Sequence, residues 1–305
     1  LINMSKNIIV IGSCNTDMVI KADRLPIPGE TILGGSFMMN PGGKGANQAV
    51  AAARLKGNVY FIAKTGNDLF GKRSVEQYED EGIHVGNIYS DPVLPSGVAL
   101  ITVDVNGENT IVVASGANAS LSPEDVQKAQ STIEKGDILL MQLEIPIETV
   151  EYAAQLASEK GIKVILNPAP ARALSDKLLK NLYMIIPNET EAEILSGIKV
   201  TDWESARKAA DIISHKGVDI VVITMGSKGA FIKEGDTYHE VSVPKVKAVD
   251  TTAAGDTFCG AVCVALSEDM NVADAVKFAN KCASITVTRM GAQSSLPYRK
   301  EINIL

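Results

Sequence analysis

The sequence has few of the residues from which metal centres and many hydrolase active sites are built. Its 305 residues include three histidines, which lie far apart and outside every motif described below: His84, His215 and His239. A zinc site needs several such ligands close together, and a serine hydrolase needs a histidine beside its nucleophile. The sequence therefore argues against a histidine-based metal enzyme and against a Ser-His-Asp hydrolase.

Cysteine is also scarce, and no two cysteines form a Cys-x-x-Cys pair. The four cysteines are Cys14, Cys259, Cys263 and Cys282. Cys259 and Cys263 are spaced so that a helix would place them on one face. We interpret all of them as buried, reduced thiols, which is typical of a cytoplasmic protein.

Long apolar runs and an excess of positive charge are missing as well. No apolar stretch approaches the ~20 residues that a membrane-spanning helix requires. The formal net charge is −7, and a negative protein is poorly attracted to nucleic acids and anionic membranes. We therefore expect neither nucleic acid nor membrane among its main partners.

Short β-branched runs alternate with longer helical patterns along most of the chain. Asn7 to Ser13 predicts a buried strand, and the alanine-rich segment Gly45 to Gly57 predicts a helix that closes on a glycine. Ser122 followed by Pro123 is typical of a helix start. Repeated strand–helix units indicate an α/β protein with a doubly wound, mainly parallel sheet flanked by helices.

Two segments interrupt this alternation and predict a small antiparallel sheet. Met18 to Met39 contains strand-like pieces around a Pro/Gly turn, and Gly97 to Ser115 is typical of a hairpin that turns at Asn106-Gly107. We expect these segments, at about 16–40 and 95–115, to form a lid. Residues 4–305 are expected to form one domain, and residues 1–3, which precede Met4, are interpreted as a cloning remnant.

Polar side chains follow two predicted strands at the edge where open α/β sheets bind ligands. Asn15, Thr16 and Asp17 come after the first strand, and Glu144 ends the otherwise apolar run DILLMQLE. No G-x-G-x-x-G fingerprint for a dinucleotide is present here. Because Asn and Asp are common in turns, an ordinary turn at 15–17 is the alternative.

The segment NPGGKGANQAV, from Asn40 to Val50, resembles a phosphate-binding loop in its glycines and its lysine. It departs from the G-x-x-x-x-G-K-[ST] pattern, because a glycine follows the lysine. Two adjacent glycines would let a ligand approach the backbone closely, and Asn47 would lie beside it in the first helical turn. A helix-entry turn without function is the alternative.

Two further segments place polar and small residues near strand ends. IIPNETEAEIL contains Asn188 and the acids Glu189, Glu191 and Glu193. Asn188 could cap a helix, and the acids could hold hydrated Mg²⁺ near a nucleotide. VITMGSKGAF places a flexible turn at Thr224 to Gly229. That turn could lie along a nucleotide or only connect two strands.

The stretch VDTTAAGDTF places small residues and an acid at the start of an apolar helical run: Ala253, Ala254, Gly255 and Asp256. Unpaired N–H groups at a helix start carry partial positive charge and bind anions such as phosphoryl oxygens. Asp256 beside them could accept a proton from an attacking hydroxyl. The stretch predicts an anion hole with an adjacent base, and a Gly-Asp helix start without function is the alternative.

Taken together, these segments resemble the ribokinase-like (PfkB) carbohydrate kinases over essentially the whole chain. GGKGAN matches the N-terminal signature of that family and DTTAAGD its C-terminal signature, and MQLE, LNPAPAR, PNETEAE and TRMGAQSSLP add to the match. The resemblance implies an α/β kinase with a β lid that pairs subunits into a homodimer. It also implies transfer of the ATP γ-phosphoryl group to the 5-hydroxyl of D-ribose.

The resemblance implies roles for individual residues. Asp256 would be the base, with Ala253, Ala254 and Gly255 in the anion hole. The sugar site would comprise Asn15, Asp17, Gly43, Lys44, Asn47, Glu144 and Asp256. The ATP site would comprise Asn188, Thr224, Gly226, Ser227, Lys228, Gly229, Gly255 and Asn280.

The same resemblance implies two metal ions. Glu191 would help to place Mg²⁺ through water. A K⁺ ion beside the anion hole would be held, mostly by backbone carbonyls, at Asp250, Thr252, Thr286, Arg289, Gly291 and Ser295. Thr286 stands where alanine is common in the family, but its carbonyl remains available.

Two other functions stay open. The chain could be another sugar or nucleoside kinase of the family, such as a deoxyribokinase, because the sugar pocket decides which hydroxyls are required. It could instead be an inactive sugar-binding regulator. A missing base or a broken anion hole would mark such a regulator, whereas Asp256 and Gly255 are both present.

Overall fold

The computed structural model describes residues 6–302. Its strands are β1 (Asn7–Ile11), β2 (Asn15–Lys21), β3 (Ser36–Gly42), β4 (Asn58–Gly66), β5 (His84–Asp91), β6 (Gly97–Val103), β7 (Asn109–Ala114), β8 (Ile138–Met141), β9 (Lys163–Leu166), β10 (Met184–Ile185), β11 (Ile220–Thr224), β12 (Ala230–Glu234) and β13 (Thr237–Val241). Residues 1–3, which we interpret as a cloning remnant, Met4 and the last residues of the expected domain lie outside the described residues.

The helices, in chain order, are α1 (Lys44–Arg54), α2 (Leu69–Asp80), α3 (Pro123–Lys128), α4 (Gln130–Ile133), α5 (Ile147–Glu159), α6 (Asp176–Leu179), α7 (Glu189–Ser196), α8 (Trp203–His215), α9 (Ala254–Ser267), α10 (Val272–Thr286) and α11 (Arg299–Ile302). Within residues 6–302, no helix is both long and apolar enough to cross a membrane.

A nine-stranded sheet forms the centre of the molecule, in the order β13-β12-β11-β10-β9-β8-β1-β4-β5. Neighbouring strands run parallel, except that β12 is antiparallel to both β11 and β13. The chain proceeds from β1 outward to β4 and β5 and later returns to the other side of β1 with β8. The carboxyl ends of β1 and β8 therefore flank a topological switch point, where open α/β sheets form their ligand crevice.

Hydrophobic cores cover both faces of this sheet. Ile8 and Val10 of β1 pack into the core formed with α1, α9 and α10, whereas Ile9 and Ile11 pack into the core formed with α3 to α8. Successive side chains of a strand point to opposite faces, so a continuous apolar strand serves both cores. The predicted doubly wound α/β fold is confirmed.

The two segments that interrupt the alternation form a separate four-stranded sheet, in the order β3-β2-β6-β7. Strand β2 runs antiparallel to β3 and parallel to β6, and β6 and β7 form the predicted hairpin. Strand β2 begins just after β1, and β3 ends just before α1. The base of this sheet, which we call the lid, therefore adjoins the crevice.

Two helices end differently from the sequence prediction. Ser122 caps α3 as predicted, but Ala129 interrupts the helix and separates α3 from α4. The end of α1 turns through Lys56, at φ 76°, and not through the predicted glycine. Gly57 instead lies against Ile8 and Val264, where an added Cβ would come within 3.0 Å of either side chain.

Candidate active site

Glu144 connects the segment after β8 to the start of α1 through hydrogen bonds. Strand β8 ends at Met141, so Glu144 lies beyond the strand end and not on it. Its Oε2 accepts hydrogen bonds from the Ser13 hydroxyl at 2.6 Å and from the backbone N–H of Lys44 at 3.0 Å. Among residues 6–302 no donor contacts Oε1 of Glu144, which leaves that oxygen free for a ligand in the crevice.

The glycines of GGKG serve the packing of the chain itself. Gly43 has φ 87°, and an added Cβ would lie 2.8 Å from the backbone nitrogen of Asn15. An added Cβ at Gly45 would lie 2.5 Å from the backbone nitrogen of Ser13. Residues without a Cβ are needed here because α1 begins directly against the segment that follows β1. The close approach predicted for a ligand at Gly42 and Gly43 is thus made by the protein, at Gly42 by the Asp17 carboxylate.

Asp17 is the acid of the lid base. Burial, together with the nearby carboxylates of Glu144 and Asp256, raises its pKa to about 6. The Asp17 carboxylate has no hydrogen-bond donor within the described part of the chain. A partly protonated, unpartnered carboxylate in a crevice is a candidate for binding ligand hydroxyls.

Asn15 is held by a residue that the sequence patterns did not reveal. Asn118 donates its side-chain N–H to Asn15 Oδ1 at 2.8 Å and to the carbonyl of Cys14 at 3.0 Å, and its Oδ1 accepts from the N–H of Cys14. Asn118 is buried in the 3₁₀ turn at Gly116–Ser120. The Nδ2 of Asn15 remains available to a ligand.

Helix α9 begins with exposed backbone donors. Ala253 adopts the left-handed conformation at φ 59°, and the helix starts at Ala254. The N–H groups of Gly255 and Asp256 have no acceptor among the described residues, and a Cβ added at Gly255 would meet no described atom within 4 Å apart from its chain neighbours and the backbone of its own helix. The structure therefore leaves space and unpaired donors at the predicted anion hole.

The Asp256 carboxylate lies beside these donors and is buried, with 7% of the residue exposed. Its two oxygens accept hydrogen bonds of 2.9 Å, one from Asn47 Nδ2 and one from Gln48 Nε2. Burial raises the pKa of Asp256, and Lys44, Gln48 and Asn47 partly oppose that rise.

Lys44 carries the positive charge of the crevice. Burial lowers its pKa, but the carboxylates of Asp256, Glu144 and Glu191 raise it by more, so that the net direction is upward. Lys44 therefore stays protonated in the physiological pH range. Its ammonium forms no ion pair within 4 Å among residues 6–302, so it is free to meet a negative or hydroxyl-bearing ligand.

The residues predicted for nucleotide binding gather beyond β10 and β11. Asn188 caps α7 in a reciprocal box with Glu191, whose carboxylate accepts from the Asn188 N–H at 2.9 Å. Thr224 lies beside Asn188 in a short parallel bridge. The turn that contains Gly226, Ser227, Lys228 and Gly229 connects β11 to β12, and an added Cβ at Gly229 would collide with the carbonyl of Val241.

Asn280 of α10 reaches the same region from the other side. Its Nδ2 donates to the carbonyls of Val241 and Ser242, both at 3.2 Å. The Lys228 ammonium donates to the carbonyl of Thr201. Part of the predicted set is thus used to hold the walls of this region.

The segments predicted to hold a monovalent cation lie together next to α9. Asp250 accepts from the N–H of Thr252 at 2.9 Å and, with its other oxygen, from the N–H of Gly291 at 2.8 Å. Thr286 contacts Thr257 of α9 through their hydroxyls at 2.8 Å, and Ser295 is fully buried. The Arg289 side chain turns away to pair with Glu301 at 2.5 Å, which leaves only its backbone for an ion.

A family model described as "pfkB family carbohydrate kinase" matches residues 5–299. The chain belongs to this family. A ribokinase of Haemophilus influenzae is 47% identical over 298 residues, covering 98% of this chain and 97% of the relative. A deoxyribokinase of Salmonella typhimurium is 40% identical over 300 residues, with 97% of each covered.

Solved structures of pfkB carbohydrate kinases share the fold. The structure of Arabidopsis thaliana ribokinase complexed with ribose and ATP is 32% identical with a TM-score of 0.92, covering 99% of this chain and 98% of that one. A ribokinase structure from Thermotoga maritima is 42% identical with a TM-score of 0.90, and 98% of each chain is covered. The resemblance seen in the sequence is confirmed.

In this pfkB kinase the sequence patterns missed several residues of the crevice: Ser13, Gln48, Asn118, Gln142 and Asn167. Gln48 had a signal that could have been used, because a glutamine interrupts an alanine-rich helix in which every position from Gly45 to Ala53 is buried. A buried side-chain amide needs partners, which points to a polar cluster. Ser13 and Asn118 carried no such signal.

Proposed function

We propose that the protein transfers the γ-phosphoryl group of ATP to the 5-hydroxyl of D-ribose. The observation that carries this proposal is the buried Asp256 carboxylate beside the unpaired N–H groups of Gly255 and Asp256. Such a pair serves an in-line phosphoryl transfer, because one part accepts the hydroxyl proton and the other stabilises phosphoryl charge. The name of the Haemophilus relative and the ligands named for the Arabidopsis structure support ribose and ATP.

The sugar would lie at the base of the lid. Asp17 and the free oxygen of Glu144 accept hydrogen bonds from its hydroxyls, and Asn15 and Lys44 donate to its oxygens. Asp17 lies near both Glu144 and Asp256, because their carboxylates contribute to its raised pKa after burial. Asn47 Nδ2 holds the base, and Gly43 lets α1 lie close to the pocket.

ATP would lie across Asn188, the Thr224–Gly229 turn and Asn280, with its terminal phosphate at the start of α9. Mg²⁺ supplies charge neutralisation on the phosphates in such reactions. Within residues 6–302 no group of three or more His, Cys, Asp and Glu could hold a metal ion. A single carboxylate, that of Glu191, is compatible with a Mg²⁺ ion that keeps most of its water ligands and is bound mainly by the phosphates of the nucleotide.

An ADP-release assay with ribose, 2-deoxyribose, fructose and adenosine tests the proposal. We expect ribose to be used with the largest kcat/KM and no turnover without Mg²⁺. The Salmonella relatives named deoxyribokinase make 2-deoxyribose the main competitor. A larger kcat/KM for 2-deoxyribose would replace ribose as the substrate, and sugar binding without turnover would identify an inactive regulator.

A monovalent cation would sit between the Asp250 and Thr286–Ser295 segments. These segments offer backbone carbonyls and hydroxyls, and the Asp250 carboxylate is occupied by backbone N–H groups. Such donors suit a large, weakly hydrated ion better than Mg²⁺. At constant ionic strength we expect higher kcat in K⁺ than in Na⁺, and equal rates in K⁺, Na⁺ and tetramethylammonium would contradict this site.

The lid would pair two subunits into a homodimer. Its inner face lines an opening of about 840 Å³ with Val19, Met38, Ile101 and Ile111. The alternate side chains of the same strands point outward and are also apolar, with Phe37 60% and Val112 67% exposed. Apolar side chains on both faces of a four-stranded sheet indicate a covered outer face, and the family resemblance favours a second copy.

Leu100→Lys is expected to convert the dimer into monomers. Leu100 lies on the outer face of central strand β6, and a lysine there would be buried twice in a symmetric interface. That should raise the dimer dissociation constant by about a hundredfold or more. Light scattering after size exclusion measures the change, with Leu69→Lys, at a residue of α2 that is 60% exposed, as the control. A wild-type protein that is monomeric at every concentration contradicts the proposal.

A further inference from the structure

A chain of buried side-chain amides runs behind the Asp256 carboxylate. Gln48 of α1 is fully buried and donates from Nε2 to Asp256 Oδ1 at 2.9 Å and to Asn167 Oδ1 at 3.1 Å. Its Oε1 accepts from Nε2 of Gln142 at 2.6 Å. Asn167 in turn donates to the carbonyl of Ile186 at 3.1 Å. The chain connects α1 to the segments that follow β8, β9 and β10.

These contacts leave the Gln48 amide only one orientation. The backbone carbonyl of Ile186 can only accept, so Asn167 must turn its nitrogen to Ile186 and its oxygen to Gln48. Gln48 must therefore present Nε2 to Asn167, which places the same nitrogen on Asp256. The donor from Gln142 fixes the other end of the Gln48 amide. The direction of every bond thus follows from one backbone carbonyl.

We propose that Gln48 is a positioning residue for the Asp256 carboxylate, and that Gln142 and Asn167 fix the orientation of its amide. This inference rests on the proposed role of Asp256 as the base. Asn47 and Gln48 are consecutive in α1 and hold one Asp256 oxygen each. Both carboxylate oxygens are therefore held by one helix, which fixes the orientation of the carboxylate.

The arrangement also selects the ionised form of Asp256. Because the amide of Gln48 is fixed in this orientation, its Nε2 can only donate and cannot accept a hydrogen bond from a protonated Asp256. The charged groups that face Asp256 from other elements are Lys44, Glu144, Glu191 and Asp17, and Cys259 lies on its own helix. All of these stay in place when Gln48 is changed.

Gln48→Met tests the inference, because methionine keeps the length of the side chain but donates no hydrogen bond. Loss of one hydrogen bond to a charged group should raise the pKa of Asp256 by about one to two units. We expect the acid limb of the kcat–pH profile, measured at saturating ribose and ATP, to move up by that amount. KM for ATP should stay unchanged, because Gln48 contacts Asp256, Asn167 and Gln142 and none of the residues of the proposed ATP site.

Gln142→Met supplies a second variant in case Gln48→Met does not fold. It keeps the Gln48–Asp256 bond but frees the other end of the amide, so we expect a smaller upward move of the same limb. Thr149→Val is the control, because it removes a buried hydrogen bond of 2.7 Å to the carbonyl of Leu121 that involves none of the residues that contact Asp256. The inference would be overturned if Gln48→Met and Gln142→Met fold, at any thermal stability, and the acid limb of their kcat–pH profiles stays at the wild-type position.

Failure of the proposed function would be seen separately. In that case the wild-type protein would not phosphorylate ribose. The positioning role of Gln48 would then be tested by following the carbon NMR signal of the Asp256 carboxyl as a function of pH. That signal is assigned as the one that is missing from the spectrum of Asp256→Asn. A raised pKa in Gln48→Met supports the positioning role even then. An unchanged pKa overturns it even if ribose is phosphorylated.

Discussion

Asp256→Asn is expected to lower kcat by ~10²–10⁴, with little change in the affinity for ribose or ATP. The substitution keeps the size of the side chain and the start of α9 but removes the proton acceptor. The new amide can be accommodated, because Asn47 Oδ1 has no partner among the described residues and Asn47 can turn that oxygen toward it. Steady-state kinetics and calorimetric ribose binding measure the two effects.

Asp274→Asn is the matched control for this change. Asp274 occupies the same position in the first turn of α10 as Asp256 does in α9, so its loss reproduces the effect on a helix start without touching the crevice. We expect wild-type kcat for that variant. If Asp256→Asn kept more than about a tenth of wild-type kcat, the assignment of the base would be wrong, since removal of a general base rarely costs so little.

Asp17→Asn is expected to raise KM for ribose by about tenfold or more while it stabilises the unliganded protein. Loss of charge-assisted hydrogen bonds to the sugar weakens binding. The same charge is costly in the free protein, because burial and the neighbouring carboxylates of Glu144 and Asp256 raise the pKa of Asp17 from 3.8 to about 6. That shift corresponds to up to about 3 kcal/mol of free energy of unfolding near neutral pH.

The pH dependence of the stabilisation follows from the direction of that shift. The folded state binds the Asp17 proton more tightly than the unfolded state, so ionisation destabilises the protein as pH rises from about 4 to about 6. Asp17→Asn should therefore raise the free energy of unfolding above pH 6 and have little effect below pH 4. Urea unfolding at both pH values measures this, with Asp23→Asn, at an exposed acid of the lid, as the control. Equal stability of wild type and Asp17→Asn at pH 7 would contradict the prediction.

The sequence predicted those parts of the site that lie within short segments. The lid was recognised from its Pro/Gly turn and from Asn106-Gly107, and the start of α9 from a run of small residues ahead of an acid. Turn chemistry and helix starts are local, so a few neighbouring residues are enough to indicate them. Ser122 at the start of α3 was predicted for the same reason.

The amide chain behind Asp256 could not be predicted in this way. Gln48, Gln142 and Asp256 come from three distant parts of the chain, and only the sheet order brings them together. Gln142 interrupts the apolar run before Glu144, but nothing in that run indicates which residue it contacts. The packing of Gly43 could not be predicted for a related reason, because the atoms that approach it belong to the segment after β1, which sequence proximity does not show.

The position of β1 between β4 and β8 bears on how the protein is made. During synthesis β1 emerges from the ribosome first, and one edge of this strand can pair with β4 soon afterwards. The other edge of β1 pairs with Ile138–Met141 of β8, which is synthesised much later. A nascent chain that ends before β8 therefore has an unpaired edge on the apolar strand β1. Such edges invite pairing with other chains. A stalled or truncated product that ends before β8 is therefore expected to depend on chaperones, even though it contains the entire lid and the residues from Asn15 to Asn47.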